Sequence, residues 1–137
     1  MGTAPTTRLR RLCLALPEAV EKETWGEATF RIREKIFATA SRQDGRPVAC
    51  IKAAPGMQGV LIEAAPERFY VPPYLGGKGW VGIRLDVVRD WGEVENLVRR
   101  SYLLIAPRRI ALSLDQAPAG APRAGRAPAT SRRSSRS

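Results

Sequence analysis

The sequence contains no histidine. That absence removes the side chain most often used as a general base near neutral pH. It also excludes Ser-His-Asp and Cys-His nucleophile systems. Cysteine is scarce too. Cys13 and Cys50 stand far apart with no CxxC pair, so no zinc site is expected. Cys13 falls on an apolar helical stripe and Cys50 within an apparent strand, which predicts two buried free thiols. No run reaches the roughly 18 apolar residues of a membrane span. The apolar stretch Leu12 to Leu16 is too short for a signal-peptide core and stops at Pro17, so a cytoplasmic protein is expected. With these groups missing, the expectation is a non-enzyme without a cofactor. Carboxylate or lysine chemistry stays open, and Lys35 and Lys52 are the lysines that fall in predicted strands.

Positive charge is abundant. Lysine and arginine total 23 against 13 acidic residues, for a net charge of +10. Residues 1–114 hold 18 basic and 12 acidic side chains, a net +6, and residues 115–137 carry the remaining +4. A basic balance favours anionic partners without naming one. The chain has 137 residues and is 44% hydrophobic, which suits one domain with a real core. The expected organisation is a frayed N-terminus over residues 1–6 and a folded domain over 7–114. A disordered tail rich in Arg, Ala, Pro and Ser follows over 115–137, because it buries too little apolar surface to offset its entropy.

Periodicity sketches the domain. Leu9, Leu12, Cys13 and Leu16 make the stripe of a helix that starts near Thr7 and ends at Pro17. An acidic segment with Glu18, Glu21, Glu23 and Glu27 follows, and Trp25-Gly26 reads as a turn. Residues 29–33, 35–41 and 47–53 read as three strands joined by short turns. Residues 56–65 read as a short helix, 69–74 as extended chain and 80–85 as a fourth strand. Asp90 and Glu93 have the spacing of a capping box ahead of a final helix. Its stripe is Trp91, Val94, Leu97, Val98, Tyr102 and Ile105, and after Pro107 residues 108–112 restart a short turn. Short-looped strands flanked by helices predict an α+β fold, a small antiparallel sheet with helices packed on one face.

Gly77, Gly79 and Gly82 match GxGxxG. They precede and enter a strand, whereas a dinucleotide fingerprint opens a helix. Lys78 is followed by Gly79 rather than Ser or Thr, so this is not a P-loop either. The acidic segment offers a cation site or a solvated rim. The basic residues are more suggestive. Arg31, Arg33 and Lys35 sit around one hairpin, and Lys52 and Arg84 fall in strands. Lys78 lies on a Gly-rich loop, and Arg108 and Arg109 follow the last helix. Such a set could lie against phosphates or be a solvated face. Phe69, Tyr70, Tyr74 and Trp80 could stack on bases, form a protein- or ligand-binding segment, or pack as core. Lys52 points inward if Val48 and Cys50 face the core, and outward if Ala49 and Ile51 do.

Several segments together resemble the MmcQ/YjbR family of small bacterial proteins. They are Trp25-Gly26 with Thr29-Phe30, Lys35-Ile36-Phe37-Ala38, Lys52, and Glu67-Arg68-Phe69. Pro72-Pro73-Tyr74, Gly79-Trp80-Val81-Gly82 with Leu85, and Ser101-Tyr102 with Ala106-Pro107 continue the match. The resemblance covers residues 7–112. It implies a CyaY-like arrangement described as a double-wing DNA-binding fold, with DNA as the partner. It supplies no catalytic motif. The related frataxin-like fold would suggest iron held by acidic residues, for which the acidic segment here is sparse.

Overall fold

The computed structural model describes residues 4–73 and 75–116. Over the described residues, the chain divides into two units between residues 106 and 107. In the first, helix α1 (Pro5–Leu14) leads into strands β1 (Val20–Thr24), β2 (Glu27–Ile32), β3 (Lys35–Gln43) and β4 (Arg46–Lys52). Helix α2 (Met57–Ala64), strands β5 (Phe69–Tyr70) and β6 (Trp80–Arg84), and helix α3 (Trp91–Ile105) complete it. The strands form one antiparallel sheet in the order β1-β2-β3-β4-β6-β5. Helices α1 and α3 pack on it, giving the expected α+β architecture. The described part of the second unit is helix α4 (Arg108–Gln116). The expected domain end at 114 therefore falls inside α4, and residues 117–137 lie outside the described residues.

Three tight turns set the register of the first four strands. Trp25-Gly26, Arg33-Glu34 and Asp44-Gly45 each have positive φ at both central positions. That backbone matches the right-handed twist of flanking strands and normally calls for Asn, Asp or Gly. Arg33-Glu34 has none of these.

The acidic segment, for which no strand is predicted, forms β1. Four of its five residues are exposed, so it has no buried face to give a period-two apolar signal. Its alternating Glu-Lys-Glu also blunts a sheet edge against unwanted pairing. Helix α1 starts two residues earlier than expected because Pro5 takes the first helical position, where its missing N–H costs nothing. The capping box is only half made. Asp90 accepts from the Gly92 N–H at 2.9 Å, but Glu93 pairs with Arg68 instead of returning to the cap.

The core lies between the sheet and α1 and α3. Phe30, Ala38, Ala40, Ala49, Ile51, Val81 and Ile83 align across the strands. They are buried together with Leu9 and Cys13 of α1 and Val94, Val98 and Tyr102 of α3. The β2–β3 register shifts between Phe30 and Arg31, leaving Phe37 as an extra residue on β3. This bulge allows sequence neighbours Phe37 and Ala38 both to be buried. The Phe37 ring meets Tyr102 edge to face, with centroids 5.3 Å apart, and the Tyr102 hydroxyl donates to the Pro17 carbonyl at 2.6 Å.

Phe37 and Lys52 come immediately after the last β3–β4 pair, Ala38 with Ile51. Ser101 of α3 bridges the strands there. Its hydroxyl donates to the Phe37 carbonyl at 2.6 Å and accepts from the Lys52 N–H at 2.9 Å. The hydroxyl replaces a rung of the ladder and pins the helix to the sheet. Because Ala49 and Ile51 share the helix side, the Lys52 side chain belongs to the opposite face, half-buried.

Candidate nucleic-acid interface

The sheet face turned away from α1 and α3 is polar. Strand register places Lys22, Thr29, Thr39, Cys50, Gly82 and Tyr70 in one row across all six strands. Side chains two residues along each strand share that face. They add Val20, Thr24, Glu27, Arg31, Ser41, Gln43, Arg46, Val48, Lys52, Trp80 and Arg84, of which Val48 and Trp80 are buried.

Two guanidinium groups are held on this face by neutral partners. Arg31 donates from Nε to the Thr29 hydroxyl at 3.1 Å and from a terminal nitrogen to the Thr24 hydroxyl at 2.8 Å. Thr29 passes its own proton to the Lys22 carbonyl at 2.6 Å, so its oxygen is oriented to accept from Arg31. Arg84 lies over the Tyr70 ring, 4.8 Å from its centroid, and donates to the Pro66 carbonyl at 3.2 Å. Among the described residues neither arginine has an ion-pair partner.

Tyr70 lies flat on the strand at Gly82. A methyl group at position 82 would overlap three carbons of the ring, so only glycine admits this approach. The GxGxxG match thus has a packing cause at its last glycine. Burial raises the Cys50 thiol above its ordinary value, while hydrogen bonds from Thr39 and Tyr70 oppose the rise. Burial also pushes the Tyr70 phenol up to about 12, and the Cys50 thiol it bonds adds to this. Both groups are therefore neutral at physiological pH.

The structure brings Arg31, Lys52 and Arg84 onto one face. Arg33 and Lys35 sit at the adjoining β2–β3 turn, where Arg33 pairs with Glu18 at 2.8 Å. Lys78 is exposed in a 3-10 turn before β6, at the same end of the sheet as Lys52. Arg108 and Arg109 begin α4 in the second unit. Two members of the aromatic segment, Phe69 and Trp80, are not presented at the surface. Phe69 is aligned with Ile83 on the helix side and is buried, and Trp80 is buried beside Lys52 in the register. Tyr74 lies outside the described residues. The residues missed are Lys22, Thr24, Thr29 and Thr39, and Tyr70 was singled out only as one of the aromatics. Lys22 was hidden with β1, and the threonines gain meaning only once the strands are aligned. Both cysteines are buried free thiols, as expected.

Among the described residues no cluster of three or more His, Cys, Asp or Glu side chains could hold a metal ion. No described helix is long and apolar enough to cross a membrane.

A comparison with curated proteins finds no match. Among solved structures, the chain is similar to the crystal structure of Deinococcus radiodurans protein DR2400, which carries the DUF419 domain. The two share 25% sequence identity over 72% of this chain and 76% of that one, with a TM-score of 0.64. The YjbR family model matches residues 14–104, from the last residue of α1 almost to the end of α3. Since that span contains the whole sheet and the helix that closes its core, the chain belongs to the YjbR family.

Proposed function

We propose that the polar sheet face binds DNA by contacting backbone phosphates. One observation carries the reading. Lys22, Arg31, Lys52 and Arg84 share the face without an ion-pair partner among the described residues, and Glu27 is the one carboxylate the strand register adds to it. Arg31 and Arg84 are oriented by hydroxyls, a carbonyl and a ring, so their charge is available to an external anion. The cations are spread over several strands rather than focused on one point. That distribution suits a phosphate backbone better than a small anion. Phosphate contacts position a protein on DNA and supply most of its non-specific affinity. The basic residues of 115–137 add attraction that carries no register.

The test is a salt titration of binding to a labelled duplex, with the full chain and its Arg31→Gln/Arg84→Gln variant. Removing one cation from the phosphates lowers the magnitude of the log–log salt slope by about 0.9. The double variant is therefore expected to have a slope smaller by about 1.8 and to bind more weakly at low salt. An unchanged slope would show that the sheet face is not the surface that meets DNA.

A further inference from the structure

Trp25 at the β1–β2 turn is 96% exposed. Its φ of 55° lies in the left-handed region that L side chains seldom occupy, and Gly26 follows at 80°. The tight turn thus holds an indole out in solvent at the tip of a hairpin. Exposed Glu23 and Glu27 flank it, and neither has an ion-pair partner among the described residues. The acidic collar repels phosphates, so phosphate contact by the sheet face does not account for the knob.

A complementary cleft lies at the other end of the sheet. It has a volume of about 490 Å³ and is walled by Ala53, Ala54, Pro55, Gly59 and Leu104, with Lys52 and Lys78 among the lining residues. Neither lysine has an ion-pair partner among the described residues. The small side chains leave room for an indole, and an ammonium group over an indole face is a favourable contact. The strands alternate in direction, so the Trp25 turn lies beside the β3–β4 turn, whereas the cleft lies where β4 ends and β6 begins. Trp25 therefore cannot reach the cleft of its own chain.

We infer that Trp25 of one copy docks into the Ala53–Leu104 cleft of a second copy, with Glu23 and Glu27 meeting Lys52 and Lys78. The contact is head-to-tail, so it propagates into a chain of subunits or closes into a ring.

Sedimentation velocity over a dilution series of the full chain, without DNA, tests this. Two variants separate the halves of the contact. Trp25→Asn removes the knob and leaves an Asn-Gly turn, which this hairpin geometry favours. Gly59→Leu fills the cleft from α2, where an added Cβ meets nothing within 4 Å. The unaltered chain is expected to self-associate, and each variant to weaken association about thirtyfold, the loss expected for a central anchor. An equimolar mixture of the two variants has one intact knob and one intact cleft, so it should form a 1:1 complex and stop there. A chain that stays monomeric at every concentration overturns the inference. So does a Trp25→Asn protein that associates like the original, or a mixture of folded variants that forms no complex.

Discussion

Gly82→Ala probes the packing that builds the polar face. The added methyl would overlap three carbons of the Tyr70 ring, so the ring must leave the strand. Tyr70 is half-buried there, and Arg84 covers its outer side. Expelling the ring forfeits part of its buried area, worth about 2 kcal/mol. It also breaks the hydrogen bond to Cys50 and the contact with Arg84, together about 1–2 kcal/mol. A net loss of about 3 kcal/mol is expected in urea unfolding at neutral pH, inside the range for overpacked cores. In a Tyr70→Ala background the methyl meets no ring. The same substitution should then be neutral or slightly stabilising, since glycine weakens a strand interior. The double-mutant cycle should give a coupling energy of about 3 kcal/mol. Equal costs in the two backgrounds would refute the claim that Tyr70 and Gly82 are matched.

Two other perturbations test the core. Ser101→Ala strands the Phe37 carbonyl and the Lys52 N–H, and two unpaired buried groups predict a loss of about 2–4 kcal/mol in urea unfolding. Cys13 responds to pH. Burial, reinforced by the charge of Glu21, pushes its thiol from 9.0 to about 12. The folded state therefore holds this proton more tightly than the unfolded chain, so stability is fully present below pH 9 and falls as pH rises towards 12. Tyr70, raised from 10.0 to about 12, adds to the loss in the upper part of that window. Tm measured from about pH 8 to 11 should decline, and Cys13→Ala should flatten the decline.

The sequence made helices α1 to α3, the Trp25-Gly26 and Asp44-Gly45 turns and the central strands legible because each carries a local signal, whereas α4 was expected only as a short turn over 108–112. Leu9 and Cys13 recur at helical spacing, and Asp44-Gly45 marks its turn by residue type. Strand β1 carries no such signal, since an edge strand of glutamates and lysine buries no face. The Phe37 bulge was equally hidden, because a register shift belongs to the pairing of two strands and not to either alone. The candidate site was half visible. Arg31 and Arg84 were identified as charges, but the threonines that hold Arg31 lie on neighbouring strands or along its own. The Tyr70–Gly82 contact joins residues twelve apart that only β5–β6 pairing brings together. For the aromatics, burial decided between the readings: Phe69 is buried on the helix side, and Trp80 is buried on the opposite face of the sheet.

Whether DNA meets the polar sheet face can be read residue by residue, from amide chemical shifts of the folded chain during titration with a short duplex. Shifts are expected to cluster at Lys22, Thr29, Arg31, Thr39, Cys50, Lys52 and Arg84 and to fade as salt is raised, with Leu9, Val94 and Val98 unmoved. Salt-sensitive shifts confined to α1 and α3, or to residues 117–137, would contradict DNA binding by this face.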